Sequence, residues 1–285
     1  MNGLAALSDL AALSDLAALS DLVECRPYRS TDDKVMCLVL FAFQPDSSTP
    51  LVVAANRDEF YARPAESAHL WPQSPHLLAG KDLSAGGTWL GMSARRRFAT
   101  VTNFAEDAPD EEAPLSRGAL VEGFLNSDQT AHDFAHQIHG NRYRGYNLLL
   151  WDGDQLVYTS NRGTTQDLAP GTYGLANAEL GATWPKVNAG IAALDDILLN
   201  QPLPGALLSI LNNERQPADE ELPNRGRPLE LERRVAPVFI RGDEYGTRAS
   251  TAVIVREGGF VFAEQVFAAG GALGELHSFD VRFEG

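Results

Sequence analysis

In "DDKVMCLVLFAF", residues 32–43, a cysteine directly follows a methionine at the threshold of the first strongly apolar run. A thiolate is a strong nucleophile, and an α-amino group, with an ordinary pKa near ~8, can act as its base. If methionine removal exposes Cys37, nucleophile and base share one residue and no separate histidine is needed. A free cysteine at the head of an apolar strand serves equally as a small buried hydrophobe. Only its place behind Met36 raises the catalytic role.

Further polar groups lie where they could complete such a site. "AANRDEF" sets Asn56, Arg57, Asp58 and Glu59 side by side at the end of the strand expected to pair with that of Cys37. Arg57 could hold a thiolate or a substrate carboxylate with its forked donors, and Asp58 could orient the α-amino group. A charged loop at a strand end is the plainer reading of the same residues. Neighbouring strand residues face opposite ways, so at most two of the four can enter one site unless the strand bends. Asn103 in "ATVTNF" and Asn177 in "YGLANAEL" end or follow short apolar runs. There a rigid amide can serve an oxyanion hole, worth roughly 3 kcal/mol per donor, or simply form a turn. Arg248 in "YGTRAST" stands just before an apolar strand, suited to substrate anchoring or to the surface.

These residues depend on a β-rich frame. "CLVLFAF" and "LVVAANRDEF" flank the turn-like "QPDSSTP" and read as a hairpin. "TWLGMS" with "FATVTNF", and "YNLLLWD" with "QLVYTSNR" across a tight "GD" turn, give further strands. A last pair, "STAVIVREG" and "GFVFAEQVF", meets at Gly258 and Gly259. Apolar spacing of three and four predicts helices at 116–139, 186–199 and 204–213. Strand runs with helices inserted between them imply a largely antiparallel α+β architecture. No Gly-x-Gly-x-x-Gly or Walker-type loop supports a nucleotide-binding alternative. The stretches 61–80 and 214–234 read as loops that set the size of the pocket.

Composition excludes several function classes. A net charge of −15 argues against a nucleic-acid partner, whose phosphates demand lysine and arginine. Arg95, Arg96 and Arg97 read as a solvated turn. No run is long and apolar enough for a membrane span. The two cysteines, Cys25 and Cys37, offer no disulfide framework, which with the missing signal sequence implies a cytoplasmic protein. His132, His136 and His139 in "HDFAHQIH" share helical spacing, yet no further cysteine or histidine cluster completes a metal site, so a solvated helix face is expected.

The N-terminal segment is of another kind. The hexamer AALSDL recurs three times unchanged within residues 1–35. Each copy turns a helix by roughly 600°, so successive leucines are displaced by about 240° and form no coherent face. We read residues 1–35 as a repetitive extension, disordered or arising from a start codon placed too early, and residues 36–285 as a single domain.

Together the blocks "MCLVLFAF", "AANRDEFYARP", "LAGKDLSAGGTWLGM", "TNF", "YNLLLWD", "YGLANAELGATWPKV" and "YGTRASTAVIV" resemble the NRDE family, known through its animal member, Transport and Golgi organization protein 2. The resemblance runs from Met36 to the C-terminus and omits the AALSDL repeat. It implies a relation to the N-terminal nucleophile hydrolases, with their four-layer sandwich of two antiparallel sheets between helical layers. Within these it is similar to the cysteine branch of choloylglycine hydrolases and penicillin V acylases, which cleave nonpeptide amides. By motif, Cys37 matches the nucleophile, Arg57 and Asp58 the nearby arginine and aspartate, Asn103 and Asn177 the oxyanion donors, and Arg248 the late arginine. Here Arg57 and Asp58 are adjacent, whereas the hydrolases separate those two roles. The implied chemistry is acyl transfer from an amide or thioester, with no cofactor. The other function the resemblance implies is non-enzymatic: haem trafficking, with haem as carried ligand, or lipid and acyl-CoA homeostasis.

Overall fold

The computed structural model describes residues 36–105, 113–223 and 228–284. The AALSDL repeat lies outside them. The frame begins with β1 (Cys37–Phe43) and β2 (Leu51–Phe60), the hairpin expected from sequence. Strands β11 (Tyr245–Arg256) and β12 (Gly259–Ala268) turn at Gly258, whose positive φ of 80° suits glycine. With β10 (Gly171–Leu175) and β13 (Ala272–Arg282) they form a six-stranded sheet in the order β10-β1-β2-β11-β12-β13. A second sheet runs β3 (Ala65–Trp71), β4 (Ser74–Asp82), β5 (Leu90–Ser93), β6 (Arg97–Asn103), β7 (Tyr146–Trp151), β8 (Leu156–Ser160), β9 (Gln166–Asp167). The pairings are antiparallel in both sheets.

Side-chain alternation along β1 sets the layers. Val39, Phe41 and Phe43 point between the sheets and meet Phe98, Leu149, Trp151 and Tyr158 of the second sheet. Leu38, Leu40 and Ala42 point outward beneath α3 (Pro185–Leu198), α4 (Pro204–Ile210) and α5 (Leu229–Val235). The outer face of the second sheet is covered by α1 (Gly118–Leu125) and α2 (Ala131–Gln137), through Leu120, Val121, Phe124 and Ala135. Two antiparallel sheets thus lie between two helical layers. Contact between α3 and β1 is close: a Cβ on Gly190 would stand 2.6 Å from Leu40 Cδ2. A larger residue there would push the helix from the strand that begins with Cys37.

Three sequence expectations need correction. The helix expected across 116–139 is broken between α1 and α2. Arg97 spans the break: its Nε donates to the Phe124 carbonyl in the last turn of α1 at 3.0 Å and its Nη2 to the Gln129 carbonyl between the two helices. Thr130 then caps α2, its hydroxyl accepting from the Asp133 N–H at 3.0 Å. Arg97 is accordingly buried, with its guanidinium 4.0 Å from the Phe124 ring centroid, and only Arg95 and Arg96 keep to an exposed turn. The stretches expected as loops hold β3, β4 and α5, and the edge strand β13 was not foreseen. Its first five residues are exposed, so the alternation that Phe279 and Val281 carry toward the core is confined to its second half. The expected solvated face of α2 is observed, with His132 and His136 exposed and their rings 4.3 Å apart.

Candidate active site at Cys37

Strand register brings the sequence candidates together. Cys37 is paired with Arg57 across β1 and β2, and Asp58 is paired with Thr247 on β11. A bulge between Thr247 and Ala249 leaves Arg248 outside the ladder. Strand β2 keeps its alternation through the tetrapeptide. Arg57 and Glu59 take one face, with Nη2 to Oε2 at 3.7 Å. Asn56 and Asp58 take the other, beneath the helices.

The main-chain nitrogen of Cys37 donates to Asn177 Oδ1 at 2.7 Å, and Asn177 Nδ2 donates to the Asn103 carbonyl at 2.8 Å. The Ala105 N–H donates to the Asn177 carbonyl at 2.7 Å, so the segment after β6 and that after β10 are stitched together beside Cys37. Asn177 therefore grips the Cys37 nitrogen, and Asn103 contributes its carbonyl to that grip. One residue earlier, the Met36 N–H donates to the Tyr245 hydroxyl at 2.6 Å.

Asp58 is fully buried. Its Oδ1 accepts from the Thr247 hydroxyl at 2.6 Å, while Oδ2 has no partner among the described residues. Burial is the main reason its carboxyl is pushed up to about 6, against the opposing pull of Lys186 and the Thr247 hydroxyl. Cys37 keeps a little accessible surface, yet burial of its sulfur, followed by the Asp58 charge, pushes the thiol up to about 12. The Asp58 main-chain N–H and the Arg57 charge pull the other way. Burial and the same Asp58 charge hold the Tyr245 phenol well above its ordinary value.

On the face between the sheets, Cys37 lines a small cleft with Arg57, Trp89, Thr100, Thr102 and Thr251. The Arg57 guanidinium lies 4.2 Å from the Trp89 ring centroid, a cation–π contact that fixes its plane, and 3.6 Å from Asp82 Oδ2. Arg63 binds the same Asp82 oxygen at 2.8 Å. Arg248 Nη1 donates to the carbonyls of Phe60 and Arg63, so it braces the end of β2. Among the described residues no group of His, Cys, Asp and Glu could hold a metal ion, and no helix is long and apolar enough to cross a membrane.

The chain's family model match spans residues 36–269 and is described as Transport and Golgi organisation 2. The chain belongs to the Transport and Golgi organisation 2 family. A bovine Transport and Golgi organization protein 2 homolog is 37% identical over 251 residues, covering 79% of this chain and 91% of the relative. The human homolog is 36% identical with the same coverage of both. Among solved structures, a mutant of conjugated bile acid hydrolase from Clostridium perfringens superposes with a TM-score of 0.50 at 8% identity, over 86% of this chain and 92% of the other. The fold is that of the N-terminal nucleophile hydrolases, as the two sheets and two helical layers already indicate.

Several residues around this candidate site escaped sequence reasoning. Thr247 and Tyr245 stand in the same "YGTRAST" that supplied Arg248, Trp89 stands in "GGTWLGM", and Lys186 in "TWPKV". A hydroxyl or ring beside a candidate charge was the available signal. Only the register of β2 against β11 tells which one meets Asp58.

Proposed function

We propose that Cys37, once it is the first residue, is the nucleophile of an amidohydrolase or acyltransferase acting on nonpeptide amides or thioesters. One observation carries this reading: the Cys37 nitrogen is gripped by Asn177 while the buried carboxylate of Asp58, beside the same residue, keeps one oxygen unpartnered among the described residues. A buried anion with a spare acceptor is costly unless a cation or donor fills it. The α-amino group of a terminal Cys37 would supply such a partner.

In that arrangement the α-amino group takes the thiol proton, and the sulfur attacks the carbonyl carbon. Negative charge develops on the oxygen, where the Asn103 and Asn177 amides are the candidate donors. Collapse breaks the C–N or C–S bond, and the proton passes from the α-ammonium to the leaving amine or thiol. A thioester on Cys37 remains. Water, or an acceptor nucleophile, then releases the acyl group and restores the thiol. Arg57, held flat on Trp89, is the residue that would meet an anionic substrate group or the thiolate.

While Met36 stays attached, this chemistry is off. The nitrogen is an amide without basicity, and the thiol has its proton held to about pH 12. The test compares the whole chain with a form cut to begin at Cys37, on acyl anilides and acyl thioesters. Turnover should belong to the cut form alone and vanish in Cys37→Ala. No turnover in the cut form, together with a haem Soret shift that survives Cys37→Ala, would replace the enzyme by the carrier reading.

A further inference from the structure

Met36 occupies a defined seat. Its side chain is 1% exposed, within the apolar layer between the six-stranded sheet and the helices that also holds Trp184, Ala176 and Tyr245. Its main-chain N–H is met by the Tyr245 hydroxyl. Tyr245 stands two residues before Thr247 on β11, and Thr247 is the residue paired and hydrogen-bonded with Asp58, so the Met36 seat and Asp58 lie along one stretch of the same sheet. Lys186, which also acts on Asp58, lines a surface cleft with Thr183, Pro185, Asn213, Ala236 and Val238.

Chemically, Met36 is an acyl group on the nitrogen of Cys37. The N-acyl and S-acyl forms of one cysteine differ only in which atom of that residue carries the carbonyl carbon. Besides lining the cleft between the sheets, Cys37 packs against the apolar layer that holds Met36, so a chain carried on its sulfur can start beside the Met36 seat. Removing Met36 to expose the amine also vacates an enclosed apolar recess beginning at that point. Pockets of this kind, apolar with a few convergent polar groups, are the usual form of small-molecule sites.

We propose that the seat of Met36 is the acyl pocket of the cut form, and that it takes amides or thioesters of N-acylated α-amino acids with an unbranched apolar side chain of methionine length. This rests on the reading of Cys37 as terminal nucleophile. The unbranched chain follows from the shape that Met36 fills. The α-nitrogen follows from Tyr245, whose oxygen accepts an N–H at that position; a plain fatty acyl group leaves it unmet. Asp58 disfavours an occupant with a carboxylate there, since two anions would share one buried site.

The test folds the whole chain with a specific-protease sequence ending at position 36, cuts it so that Cys37 is first, and uses Cys37→Ala in the same format for calorimetric binding. The probes are N-acetylmethioninamide, N-acetylvalinamide and hexanamide. N-acetylmethioninamide should bind about tenfold or more tightly than either other probe, and Tyr245→Phe should cost it about tenfold while leaving hexanamide unchanged. Equal binding of the three, no binding, or indifference to Tyr245→Phe overturns the assignment. Should Tyr245→Phe fail to fold, the ranking on the native pocket decides alone. Turnover by the cut form that ignores this ranking removes the acyl pocket and leaves the nucleophile reading standing. Selective binding without turnover does the reverse.

Discussion

The Thr247 hydroxyl donates to one oxygen of Asp58 at 2.6 Å and accepts from the Ile240 N–H at 2.9 Å, while the other Asp58 oxygen meets no partner among the described residues. The hydroxyl thus ties the carboxylate to the β11 side and leaves its free oxygen in the buried space beside Cys37. An acid held in this half-satisfied state should make the stability of the whole chain depend on pH.

The sign follows from the direction of the shift. Asp58 titrates at about 6 in the fold against an ordinary 3.8, so between these values the folded chain holds the proton and the unfolded chain does not. The stabilisation is present in full below about pH 4 and is lost as pH rises through 6, an amount of up to about 3 kcal/mol. In the whole chain, Asp58→Asn should be more stable than the native sequence at pH 8, with the difference closing by pH 4. Urea unfolding at both pH values measures it, and a difference unchanged between them contradicts the assignment. In the form cut at Cys37 the α-ammonium partners Asp58, so the advantage of Asp58→Asn should shrink or reverse.

Thr247→Val should act in the opposite sense on stability. It removes the donor to Asp58 and the acceptor of the Ile240 N–H while keeping the side chain's shape. A loss of about 2 kcal/mol is expected at pH 8. The variant should also steepen the fall in stability with pH, because the hydroxyl opposes the upward shift of Asp58. Denaturant midpoints across pH 4 to 8 report both effects.

Thiol chemistry provides an independent reading. With the Cys37 thiol at about 12 against an ordinary 9.0, iodoacetamide at pH 8 should modify the whole chain roughly a thousandfold more slowly than an exposed cysteine peptide. Asp58→Asn removes a charge that raises the thiol and should speed the reaction. Mass spectrometry of the peptide containing Cys37 separates it from Cys25. Equal rates in the native chain and the variant would mean that Asp58 does not act on the sulfur.

Much of the frame was legible in the sequence because its strands are short apolar runs closed by turn residues. "CLVLFAF", "YNLLLWD" and the glycine pair at 258 and 259 carry that signal plainly. What sequence pattern missed was set by contacts from afar. Arg97 binds across the gap between two helices that apolar spacing joined, and nothing within 116–139 announces an arginine arriving from β6. In β13 the alternation is short, carried by Phe279 and Val281 after a run of exposed residues.

The candidate site was legible as residue types and less so as geometry. The rule that a strand shows two of four consecutive residues to one side was correct, and it divides Asn56 and Asp58 from Arg57 and Glu59. It could not say that Thr247 and Tyr245 lie across from them, since a partner almost two hundred residues away is fixed by register. Asn103 illustrates the converse: its carbonyl, which every residue type possesses, makes the observed bond to Asn177.

Asn56 shows that the first residue of the tetrapeptide serves the fold. Its Nδ2 donates to the carbonyls of Leu211 at 3.0 Å and Val238 at 2.8 Å, and its Oδ1 accepts from the Ser250 hydroxyl at 2.6 Å. The side chain is buried with its two donors and its oxygen engaged, so it fastens the end of α4 and the segment after α5 to β2. Asn56→Ala should cost about 2 to 4 kcal/mol, because three buried partners lose their bond at once. Asn56→Asp should cost as much or more, since an acid returns no donor to the two carbonyls and sets a second carboxylate beneath the helices beside Asp58. Denaturant unfolding of both variants, with circular dichroism to confirm the folded baseline, checks the order. If either variant unfolds at the native midpoint, Asn56 does not hold the helical layer in place.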